Sequence, residues 1–161
     1  MRIVPFLAYL VLIALHIVIT DDFTSILSAK INLAAFIILA VALYKGELAS
    51  LWFGFFAGLT VGAVLPETMG WHALFGAALG LLAYHMKERI NLDFLAARLL
   101  ITFVGVFAFN VATEAVTQPD GLGHLWWSAG LTGAVYTTAL GTIFFSIKHG
   151  LLTGRRVKSI F

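Results

Sequence analysis

The feature that most constrains this chain is a succession of long apolar runs in which charged residues almost never appear. The runs cover residues 3–19, 31–44, 48–65, 71–86, 99–117 and 125–147. A hydrocarbon core of about 30 Å takes roughly 20 helical residues to cross. The first run and the last three meet that length or nearly so, whereas the second has to borrow from its flank back to Ile26. This extension takes in Lys30, and a lysine at mid-bilayer costs about 2.5–3.5 kcal/mol, so Lys30 is expected to snorkel from near a helix end. The pattern predicts an all-α membrane protein, a compact bundle of six transmembrane helices forming one integral membrane domain. Its spans are expected at about 3–19, 26–44, 48–65, 71–86, 99–117 and 125–147, with a basic tail over 148–161. Composition agrees: 61% apolar and 11% charged residues leave too few polar side chains to clothe a soluble domain of this length. The first run reads as a retained span, because no small-x-small cleavage site precedes Asp21 and Asp22.

The placement of charge predicts the sidedness. With the N-terminus cytoplasmic, Arg2, Lys45, Lys87, Arg89, Arg98, Lys148, Arg155, Arg156 and Lys158 lie inside and Lys30 alone lies outside. Over loops this short that asymmetry is a positive-inside signal, and it puts both ends of the chain in the cytoplasm. Trp71, Trp126 and Trp127 are expected at the outer interface, and Tyr44, Trp52 and Tyr84 at the inner one. The tail after Ile147 reads first as a topology anchor and no more, the alternative being a basic cluster that attracts anionic lipid.

Within the spans, Gly54, Gly58 and Gly62 recur every four residues, and Gly76 and Gly80 repeat the spacing in the next run. Each set lines one helical stripe on which another helix can approach to backbone contact. The neighbour is either another helix of this chain or the transmembrane helix of a partner. Polar residues inside spans are candidate functional sites by default. His16 lies near the outer end of the first span, where an interhelical hydrogen bond would satisfy it. Asn110 and Glu114, at i and i+4, share a face of the fifth span. For Glu114 the readings are an interfacial structural role, a hydrogen bond to a partner helix, a solute contact in an outward-facing cavity, or a proton relay.

The five histidines match no ligand spacing, and the absence of cysteine removes thiolate chemistry, so neither a metal nor another cofactor is expected. No nucleophile-base-acid set, paired mid-membrane carboxylates or phosphate-cradling glycine loop is present, which argues against an enzyme. Nothing in the chain suggests nucleic-acid binding.

One stretch is more specific. Ile31-Asn32 opens a short span, followed by Trp52-Phe53-Gly54-Phe55-Phe56-Ala57-Gly58-Leu59, then by the turn Met69-Gly70-Trp71-His72-Ala73-Leu74, then by Gly80-Leu81-Leu82-Ala83-Tyr84. The order resembles MreD, the family of rod shape-determining membrane proteins, with its G-F-x-x-G-L segment and small-residue L-G-x-x-A-L turn. Two positions depart from the family pattern: Gly62 stands where an aspartate is usual, and Ile31 where a proline is common. The role of that aspartate therefore does not carry over.

The resemblance implies a non-enzymatic scaffold of the cell-elongation machinery in the bacterial cytoplasmic membrane, linking MreC and peptidoglycan synthases to MreB filaments. It also implies a fold like that of the S units of energy-coupling factor transporters. On this view the glycine stripes would accept the single span of an MreC-like protein, and Arg89 and Arg98, in the short cytoplasmic loop, would meet the filaments. The alternative is a solute-binding S unit, for which His16, Asn110, Glu114, Trp126 and Trp127 would have to converge near the outer face.

Overall fold

The computed structural model describes residues 3–20, 31–90, 94–118 and 125–148, and within them every regular element is helical. In chain order these are α1 (Ile3–Thr20), α2 (Leu33–Tyr44), α3 (Glu47–Gly62), a single 3₁₀ turn at Pro66–Thr68, α4 (Met69–Arg89), α5 (Leu95–Thr117) and α6 (Leu125–Lys148).

The organising element is α2. Its sequence is apolar all round, which suits a helix surrounded on every side rather than one with a wet face. From Ala34 to Leu43 only Ala40 escapes full burial. It packs against all five other helices, with α4 and α3 as its broadest neighbours, then α5, α1 and α6. Around it α1 lies on α3, α3 on α4, α4 on α5 and α5 on α6. Local chemistry sets the joints. Asn32 caps α2, and only Lys45 and Gly46 separate α2 from α3, whose first residue, Glu47, complements the helix dipole. Pro66 starts the 3₁₀ turn where its missing N–H is not needed, and Lys87 and Arg89 close α4 where cations are favourable.

The tightest interface joins α3 to α4, and both glycine stripes are spent in it. A β-carbon at Gly54 would strike the Gly76 carbonyl, one at Gly58 the His72 carbonyl, and one at Gly80 the Ser50 carbonyl; at Gly62 it would come 2.6 Å from the Met69 Cα. Of the two neighbours the spacing allows, these glycines therefore meet the one inside the chain. They are not open to a partner's helix.

Helix lengths qualify the six-span expectation. Among the described residues, two segments are long and apolar enough to cross a membrane, Leu95–Thr117 and Gly130–Ile147; Val4–Val18, Leu33–Tyr44 and Glu47–Gly62 are apolar but shorter. The second differs most from its expected extent of 26–44. Its helix begins at Leu33 because the Asn32 side chain takes the N–H of Ala35 and ends the helix there. At 1.5 Å per residue its 12 residues span about 18 Å. Residues 26–30, including Lys30, lie outside the described residues, as do the basic tail after Lys148 and the side chains of Trp126 and Trp127.

Polarity is inverted relative to a soluble bundle. Large apolar side chains project outward from every peripheral helix: Val4, Leu7, Val11, Leu15 and Val18 from α1; Leu48, Trp52 and Phe56 from α3; Leu74 and Leu82 from α4; Leu100 and Val104 from α5; Val135, Ile143 and Ile147 from α6. Val4 and Val18 are 78% and 81% exposed. Soluble monomers rarely show contiguous apolar surface of this extent. Every lysine and arginine whose side chain is described, namely Lys45, Lys87, Arg89 and Arg98, lies at the end where α2 and α4 finish and α5 starts.

Candidate functional site

At the opposite end, polar side chains from several helices converge on the first residues of α2. A helix that starts inside a bundle leaves N–H groups without partners, and Asn32 answers for one of them by accepting from Ala35 N–H at 2.9 Å. That bond orients the carboxamide. With Oδ1 held by the backbone, Nδ2 is left to donate, and it donates to Asn110 Oδ1 of α5 at 2.7 Å. The Asn32 backbone N–H donates to Thr137 Oγ1 of α6 at 3.0 Å. From α1, His16 Nε2 lies 3.1 Å from the Ile31 carbonyl, which can only accept, so the ring carries its proton on Nε2. Four helices are thus tied at one level through Ile31 and Asn32.

The register fixes how deep that level lies. At the other end of α2, Arg98 of α5 donates to the Tyr44 hydroxyl at 3.0 Å and sits 5.8 Å from the centre of its ring. Residues 32 to 44 of α2 therefore lie alongside 110 to 98 of α5, antiparallel and with equal spacing. Beyond Asn110, α5 continues seven residues to Thr117, about 10 Å. From Thr137, α6 reaches back twelve residues to Leu125, about 18 Å. The polar layer is recessed below the ends of its neighbours.

Of the residues singled out in the sequence, His16 and Asn110 belong to this layer. Glu114 stands one turn above Asn110, half-buried, and among the described residues its carboxylate has no hydrogen-bond or ion-pair partner. Gly54, Gly58, Gly62, Gly76 and Gly80 lie apart from it, in the α3–α4 interface. Buried in that interface too is His72, whose Nδ1 faces the Thr68 carbonyl at 3.0 Å. Arg89 and Arg98 are at the far end and differ: Arg89 is exposed, while Arg98 is half-buried and engaged with Tyr44. Lys87 is engaged as well, donating to the Lys45 carbonyl at 2.8 Å and lying over the Tyr84 ring. Of the two loop arginines expected to meet filaments, only Arg89 stands clear of the bundle.

Asn32 and Thr137 are the members that sequence reasoning did not single out as site residues. For Asn32 a signal existed, since an asparagine just before an apolar run is an N-cap signature. Thr137 gave none: its bond to Asn32 spans 105 residues, and threonines in apolar helices usually bond their own backbone, as Thr102 and Thr142 do. Among the described residues no group of three or more histidines and acids is placed to hold a metal ion.

The comparisons add no relative: no family model, no curated protein and no solved structure matches this chain.

Proposed function

We propose that this chain is a multi-pass protein of the bacterial cytoplasmic membrane, crossing it six times with both ends in the cytoplasm. We read it as a non-enzymatic, MreD-like scaffold of the cell-elongation machinery. The observation that carries the membrane reading is the apolar exterior of all five helices around α2, together with the gathering of described lysines and arginines at one end. Support for the scaffold reading comes from where the resembling residues lie. Asn32 opens the central helix, Gly54 and Gly58 seat α3 on α4, and Gly80 receives Ser50. They build the α2–α3–α4 unit, so the resemblance falls on residues that determine the bundle's shape.

The proposed partners are an MreC-like single-span protein, MreB filaments and peptidoglycan synthases of the elongation complex. Because the glycine stripes are filled from within, the single-span partner has to seat elsewhere, and Arg89, like Lys45, is an exposed cation at the end assigned to the cytoplasm. Purification from native membranes in mild detergent, with a tag on the cytoplasmic tail, tests the proposal. A bitopic protein and elongation synthases are expected to co-purify; their absence from a folded preparation would overturn the scaffold reading. One observation favours a second reading, a solute-binding component of an energy-coupling factor-type transporter: the convergence of His16, Asn32, Asn110 and Thr137 at a recessed level. Recovery of paired ATPases with a coupling subunit in the same preparation would select it.

A further inference from the structure

The cations at the end assigned to the cytoplasm are not spread evenly. Arg98 is turned onto Tyr44, and Arg89 closes α4. Lys45 and Lys87, 42 residues apart in the chain, are instead brought to one joint, where α2 passes into α3. Lys87 Nζ donates to the Lys45 carbonyl at 2.8 Å and lies 4.8 Å from the centre of the Tyr84 ring. An ammonium on a four-carbon stem is ordinarily free to move in water. Here a carbonyl and a ring hold it in place, and the carbonyl takes one of its three N–H donors. The Lys45 side chain springs from the residue whose carbonyl holds Lys87, so both ammonium groups are within reach of one ligand.

The pair lacks a counter-charge. Glu47 and Glu88 are close in sequence, yet neither forms an ion pair with Lys45 or Lys87, and Glu88 accepts from the Tyr84 hydroxyl at 2.7 Å instead. Lys45 is exposed, and its ammonium has no partner among the described residues. The joint is open beside it, since a β-carbon at Gly46 would meet nothing within 4 Å. Two positive charges held at one joint, with room next to them, suit an anion. Leu48, three residues on from Lys45, is 70% exposed. A ligand that carries an anionic group and hydrocarbon together answers both the charges and the leucine, and a phospholipid is such a ligand.

We propose that Lys45 and Lys87 hold the headgroup phosphate of an anionic phospholipid of the cytoplasmic leaflet at the α2–α3 joint, with an acyl chain passing over Leu48. The site rests on the membrane placement proposed above and on no protein partner.

The test uses the purified full chain in micelles of an uncharged detergent, with thermal unfolding followed by tryptophan fluorescence as phosphatidylglycerol or phosphatidylcholine is titrated in. A saturable rise in midpoint is expected with phosphatidylglycerol and none with phosphatidylcholine. Lys45→Gln, a change to an exposed side chain, should weaken the apparent affinity for phosphatidylglycerol about fivefold, and Lys87→Met, which keeps an unbranched stem beside Tyr84, by about as much. Arg89→Gln removes the same charge from the same end, but Arg89 leaves α4 about 200° round the helix from Lys87, and its loss should change the affinity by less than about twofold. Should Lys87→Met fail to fold, Lys45→Gln decides. Equal responses to the two lipids overturn the site. So does an undiminished response in Lys45→Gln, or an equal loss in Arg89→Gln, because the lipid would then answer to the charge of the whole end. A rise of the same size with inorganic phosphate also overturns it, since the ligand would then be a free anion. Membrane insertion is read separately, by whether the chain stays with membranes through alkaline carbonate extraction. A chain that stays and shows no lipid response loses the site and keeps the membrane reading.

Discussion

The α3–α4 and α5–α6 pairs are both antiparallel, both broad and both supplied with glycine, yet they pack by different means. Between α3 and α4 the backbones themselves touch, and a β-carbon at Gly54, Gly58 or Gly80 would strike a main-chain carbonyl of the facing helix. Between α5 and α6 a β-carbon at Gly130 would meet the side-chain ends of Val111 and Phe107, at 3.0 and 3.3 Å. The first interface has nothing to move aside, because a helical carbonyl is held by its own hydrogen bonds. The second is lined by rotamers that can turn. Glycines that look alike in the sequence therefore carry different constraints.

The largest effect expected from this difference is at Gly58. Gly58→Ala places a methyl group against the His72 carbonyl and within 2.8 Å of the Ala73 Cα, so the helices must separate. Overpacking with so little room to relax should cost about 3 kcal/mol or more, read as a fall in the unfolding midpoint in micelles or as failure to accumulate in the membrane. A near-wild-type midpoint would mean that the two helices are not in backbone contact there.

Asn32→Ala comes next. It removes a helix cap, usually worth about 1 kcal/mol. It also leaves Asn110 Oδ1 without its donor, and an orphaned acceptor costs about 1–3 kcal/mol where water cannot replace it. A loss of about 2–3 kcal/mol is expected. Asn110→Ala, which leaves the cap in place, should cost less. Equal losses from the two variants would show that the cap contributes nothing and that the Asn–Asn bond is the whole effect.

These particulars show how far the sequence could be read. The apolar runs located the six helices because a helix in an apolar setting needs little more than an apolar surface, and α1, α5 and α6 match their expected extents closely. Where the second helix begins was harder to read. Length alone asked for a start near Ile26, whereas the cap at Asn32 is a local signal that outranks span length once neighbouring helices receive its polar groups. The glycine spacing announced close approach but not to what, because the facing surface belongs to another element. His16 and Asn110 were recognisable singly, as polar residues in apolar surroundings. Their convergence on Ile31 and Asn32 depends on the register of four helices, which no single segment encodes.

The smallest effect is expected at Gly130, and it tests the comparison from the other side. Alanine is favoured over glycine in a helix interior by up to about 1 kcal/mol, because glycine gives up more backbone freedom on ordering. Against that gain stands a methyl group at 3.0 Å from Val111 Cγ2, close enough that the valine has to shift by a few tenths of an ångström. Val111 is half-buried and so has space on one side to do it. The two terms are of similar size and opposite sign, so Gly130→Ala should change stability by less than about 0.5 kcal/mol. Measured beside Gly58→Ala, it isolates what the added carbon meets, since the substitution is the same and both glycines are buried within helices. If Gly130→Ala is as damaging as Gly58→Ala, the α5–α6 contact is as rigid as the α3–α4 contact, and the division into a backbone-packed and a side-chain-packed half fails.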